Sequence, residues 1–139
     1  LGGYGSGTYN LNGGTLETDS LTVDATHGSI SLDSGILRIA GGGVGTLVNA
    51  PFTHLGGTFV VRDTASVTKT NSYFLGPDGS ALHVRYHGVM TCPQLFMTGG
   101  NAMISVDSSA TLNVAGRLNL ISSGSGSLNI GRGSTVHRT

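Results

Sequence analysis

The side chains able to do chemistry in this sequence are few, and their spacing sorts them. Five histidines occur: His27, His54, His83, His87 and His137. His83 and His87 stand in HVRYH, the spacing that brings two zinc ligands together on a helix. On a strand, at about 3.3 Å per residue, the same pair lies about 13 Å apart and cannot share an ion. Leu82, Val84 and Tyr86 alternate with them, so the expectation is an inward apolar row and an outward row of His83, Arg85 and His87. Of the seven acids, only Glu17 and Asp19 lie close in sequence. On one strand face they would be about 7 Å apart, which permits two-carboxylate glycoside hydrolysis without specifying it. Asp78 sits in GPDGS, a turn signal. GGGVGT at 41–46 lacks the lysine of a phosphate loop. Cys92 is the only cysteine, so no internal disulfide can form, and beside Met90 and Leu95 it reads as an inert packed thiol. No catalytic, cofactor-binding or metal-binding motif emerges.

Two groups stay open as ligand or subunit contacts. The first is a strip of charge: Asp33, Arg62, Arg85 and Asp107 each follow a recurring apolar position. If the copies stack, Asp33 lies beside Arg62 and Arg85 beside Asp107. Such a strip could bind an acidic sugar, but the favoured reading is surface ion pairs worth about 0–1 kcal/mol each. The second is Phe52 and His54, in a stretch that breaks the repeat.

The elements that must position these residues are copies of one phrase. TYNLNGGTL (8–16) returns as SISLDSGIL (29–37), TFVVRDTASV (58–67), ALHVRYHGVM (81–90), MISVDSSATL (103–112) and SLNIGRGSTV (127–136). Two apolar columns run through the six copies. One is Tyr9, Ile30, Phe59, Leu82, Ile104 and Leu128; the other is Leu11, Leu32, Val61, Val84, Val106 and Ile130. Alternation over so few residues means strands with one buried face. A repeat near 22 residues with three short strands and no helix predicts an all-β parallel β-helix, a solenoid of about six coils in one domain over 1–139. Glycines and small residues after the first strand mark a corner. The spacing of the second column is 21, 29, 23, 22 and 24. The excess falls at 41–57, GGGVGTLVNAPFTHLGG, which is expected to be a loop thrown out sideways.

GTYNLNGGTL, GSISLDSGIL and GSLNIGRGSTV resemble the repeats of bacterial secreted β-solenoid proteins, such as autotransporter passenger domains and large surface adhesins. The resemblance covers nearly the whole chain. It implies a right-handed β-helix at the cell surface or secreted, and it carries no catalytic residue over.

Composition narrows the partners. The formal net charge is +0 and 10% of residues are charged, so no basic field is available for a nucleic acid backbone. No apolar run reaches membrane-spanning length. Lys69 is the only lysine, against six arginines. The chain opens at Leu1 with no Met and no signal-like segment, and its sixth copy stops partway through a coil. Uncapped coils expose strand edges, so the expected partner is more chain: a longer polypeptide, or a second copy stacked head to tail. The expected function is a structural or adhesive scaffold. The alternative is a carbohydrate-active or carbohydrate-binding β-helix acting on surface polysaccharide.

Overall fold

The computed structural model describes residues 7–24, 26, 28–48, 52–120 and 125–139. They form parallel strands stacked as a β-solenoid of about five turns, with about 22 residues per turn, and no helix. In chain order the strands are β1 (Gly7–Thr18), β2 (Leu21–Asp24), β3 (Gly28–Ile39), β4 (Val44–Val48), β5 (Phe52–Val61), β6 (Ser66–Lys69) and β7 (Tyr73–Val84). They continue with β8 (Val89–Cys92), β9 (Leu95–Met97), β10 (Ala102–Val106), β11 (Thr111–Val114), β12 (Leu118–Asn119), β13 (Gly126–Ile130) and β14 (Thr135–Arg138). One sheet runs β1-β3-β5-β7-β10-β13, with β9 and β12 continuing from the first half of β7; the other runs β14-β11-β8-β6-β4-β2.

Each turn has three straight segments around one apolar core. In the early turns the first two are fused into a single strand bent at a corner, as in β1 and β3; later they separate, as β9 and β10. The corner is a column of left-handed residues: Gly14 (φ 73), Gly35 (φ 86), Gly57 (φ 71), Gly79 (φ 73) and Asn101 (φ 63). Glycine adopts this conformation freely, and asparagine more cheaply than most other residues. Stacking is also tight there, since a Cβ on Gly57 would lie 2.7 Å from the carbonyl oxygen of Gly35. The next corner is made by paired left-handed residues instead: Asp63–Thr64, Tyr86–His87 and Ser108–Ser109.

Pairing corrects the columns read from sequence. Leu16, Leu37, Phe59, Leu82, Ile104 and Leu128 are one true column; Thr18, Ile39, Val61, Val84, Val106 and Ile130 are another. Tyr9 and Leu11 belong to a different side of the solenoid, where they pair with Ile30 and Leu32, and these with Phe52 and His54. The sequence columns therefore start on one side and finish on another. The spacing of 29 between Leu32 and Val61 contains a normal turn, from Ile39 to Val61, plus the step from Leu32 across the corner to Ile39.

The lateral loop at 41–57 is corrected with it. Val44–Val48 is β4, paired with β2 and β6, and Phe52–Val61 is β5, paired with β3 and β7. Pro51 lies outside the described residues. The glycines there serve corners and close approach: Gly41 and Gly42 have φ of 71 and 74, and a Cβ on Gly43 would sit 1.2 Å from the carbonyl oxygen of Asp19.

Candidate functional site

Phe52 and His54 alternate with Thr53 and Leu55 along β5, and the alternation turns both rings inward. His54 is 2% exposed. Its Nε2 is 3.1 Å from the carbonyl oxygen of Gly57, and its Nδ1 is 2.7 Å from the hydroxyl of Tyr73. A carbonyl can only accept, so Nε2 carries the proton and Nδ1 accepts from Tyr73. The rings of Phe52, His54 and Tyr73 stack, with centroids 5.6–6.0 Å apart, and Phe59 meets Phe52 edge-on at 5.3 Å. Burial holds the imidazole neutral, with its pKa lowered to about 4 against the opposing pull of the Gly57 carbonyl. The rings of Phe52 and His54, expected as a ligand or subunit contact, thus face the interior.

A second polar side chain lies in the same interior. Lys69 is buried in β6, and its Nζ donates to Asn71 Oδ1. Burial lowers its pKa to about 8, with Cys92 pulling the other way. Cys92, on the neighbouring rung, is buried as its sequence context suggested, and burial pushes its thiol up to about 11. A thiol so protonated is a poor nucleophile.

The strip of charge is partly dismantled. Arg85 Nε and Asp107 Oδ2 pair at 2.8 Å, as stacking predicted. Arg62 instead pairs with its neighbour Asp63 at 2.6 Å, and its guanidinium lies 5.2 Å from the ring centroid of Tyr86. Asp33 stands at the other corner and accepts from Ser31 Oγ at 2.7 Å. Asp33 and Arg62 are not neighbours, because they follow residues of different columns. Tyr86, expected inward, is exposed at the left-handed turn it shares with His87, while His83 is half-buried on the outer face. Burial and the nearby Arg85 lower the His83 pKa. His27 lies outside the described residues.

Glu17, Asp19 and Asp63 line a depression of 330 Å³, but Arg38 binds Glu17 at 2.6 Å and Arg62 engages Asp63. Among the described residues no group of three or more His, Cys, Asp or Glu could hold a metal ion.

The outer surface of the first side carries what sequence reasoning missed. Phe74 and Phe96 occupy equivalent outward positions on consecutive rungs and stack with centroids 5.0 Å apart and 11° between planes. Phe74 is 50% exposed. Beside it a depression of 240 Å³ is lined by Phe52, Thr53, His54, Leu55, Phe74, Gly76 and Thr98. The available signal was YFL and LFM, 22 residues apart, where an apolar ring fills a place that alternation assigns to solvent. Chemically the surface is an uncharged platform with hydroxyls at its margin.

No protein family, curated protein or solved structure matches this chain. Among the described residues no helix is long and apolar enough to cross a membrane.

Proposed function

We propose that the chain is a structural and adhesive solenoid of an extracellular surface, a stiff element extended by adding coils. One observation carries the reading: apolar side chains reach both end rungs, where Tyr9 is 39% and Ile130 53% exposed beside strand edges with no partner among the described residues. Such an edge templates another strand, supplied by more of the same polypeptide or by a second copy. Near-zero net charge adds little repulsion against stacking. Light scattering and electron microscopy of this chain at rising concentration test it. End-to-end growth supports the reading; a strictly monomeric rod with exchange-protected amides in β1 and β13 refutes it.

The Phe74–Phe96 pair favours a second reading, in which the first side holds surface polysaccharide by stacking a sugar face on Phe74, next to Thr53 and Leu55. Glycan binding lost in both Phe74→Ala and Phe96→Ala, with melting unchanged, supports it. Binding unaffected by either refutes it.

A further inference from the structure

We propose that Asn12 modifies itself in the folded protein, closing to a cyclic imide and opening to aspartate and isoaspartate at the first corner. Asn12–Gly13 is the only Asn–Gly step in the chain. Ring closure needs the backbone nitrogen of the following residue to reach the Asn Cγ, and glycine leaves that nitrogen uncrowded. A regular ladder forbids the movement by holding the backbone extended and paired. Here the ladder breaks: Leu11 pairs with Leu32 and Asn12 with Ser34, pairing resumes at Thr15 with Ile36, and Gly13 and Gly14 are passed over.

Space and freedom match. A Cβ on Gly13 would meet only Ser34 Oγ, at 4.0 Å, and one on Gly14 would meet nothing within 4 Å. Asn12 is exposed, and no hydrogen bond holds its carboxamide among the described residues. The other described asparagines lack this combination. Asn71 accepts from Lys69, Asn113 is held in β11 and donates to Thr91 Oγ1, and Asn129 is paired within β13 before Ile130.

The chemistry balances without an oxidant or cofactor. The Gly13 amide gives its proton to solvent base, the N–Cγ bond forms, solvent returns a proton to Nδ2, and the Cγ–Nδ2 bond breaks as ammonia leaves. Water then opens the imide at either carbonyl, leaving the carboxylate on the side chain or routing the main chain through it. The product gives a formally neutral chain one negative charge, next to the rung that carries Asp33. The isoaspartyl form also lengthens the main chain beside a crowded corner, where a Cβ on Gly35 would already lie 2.5 Å from the carbonyl oxygen of Gly14. Loosening of the first coil from β3 follows.

The test incubates the full chain at mildly alkaline pH, folded and in urea, and follows it by ion exchange and peptide mass mapping. In the folded sample an acidic species should grow, map to Asn12 with loss of ammonia and accept isoaspartyl methylation. Asn12→Gln should lose that species. Intact Asn12 in the folded chain overturns the proposal, whether or not the chain in urea converts, and so does an acidic species that persists in Asn12→Gln.

Discussion

Lowering the pH through the range between about 6.5 and about 4 should destabilise this solenoid through His54. In the folded state the ring is neutral, donating to Gly57 and accepting from Tyr73. In the unfolded chain the same imidazole takes up a proton near its ordinary pKa of 6.5. Between the two values the unfolded state binds more protons, so stability is complete above the higher one. It falls as pH drops and levels off below the lower one. An interval of about 2.5 pH units corresponds to about 3 kcal/mol, a large share of a small domain's stability. His83 shifts in the same direction but is only half-buried, and it adds a smaller share. Urea unfolding followed by circular dichroism across this pH range measures the slope. His54→Phe keeps a ring against Phe52 and Tyr73 and removes the titration. It leaves the Tyr73 hydroxyl without its acceptor, at about 1–3 kcal/mol independent of acidification. The wild type should weaken with acid, and the variant should weaken far less. A flat wild-type profile, or an equal slope in both, would refute the buried neutral His54.

Two further outcomes follow from the corners and the interior. Gly57→Ala should destabilise more than Gly79→Ala: both pay about 1–2 kcal/mol for left-handed backbone, but only Gly57 meets a carbonyl, at 2.7 Å. Equal melting temperatures for the two variants would contradict the tight stacking. Lys69→Met should be neutral to about 3 kcal/mol stabilising at neutral pH, since it replaces a buried cation by an apolar chain of similar length. Between pH about 8 and about 9 the wild type should also gain stability, because its folded-state amine deprotonates first, and the variant should lack that gain; above about 9 the buried Cys92 thiol, which ionises more readily in the unfolded chain, opposes it in both proteins. Calorimetry at neutral and alkaline pH reads both.

The repeat length and the parallel stack were legible because alternation and recurrence are local. The sides of the solenoid were not, because two of them use the same apolar-x-apolar phrase. YNL and SISL look like FVV and LHV, although the former precede the glycine corner and the latter follow it. The corner itself held the answer. Gly14, Gly35, Gly57, Gly79 and Asn101 recur at intervals of 21, 22, 22 and 22, a steadier ruler than the apolar columns first drawn. The candidate site failed for the same reason. Phe52 and His54 looked like loop residues because glycines surround them, whereas FTHL is one more strand in which a histidine takes a core position. Arg85 and Asp107 were found because both follow members of one true column.

The buried pair of His54 and Tyr73 also bears on how such a chain finds its own alignment. Apolar columns are interchangeable: a coil displaced by one turn would still set Leu against Ile and Val against Val, so hydrophobic burial alone discriminates poorly between the native stack and a slipped one. Polar interior groups are not interchangeable. A one-turn slip would part the imidazole from the Tyr73 phenol that donates to it, at about 1–3 kcal/mol for each group left bare. Lys69 would lie against a different rung while its chain to Asn71 stayed local. The two residues that look least suited to an apolar core therefore act as a serial number, marking the middle coils as distinct from the rest.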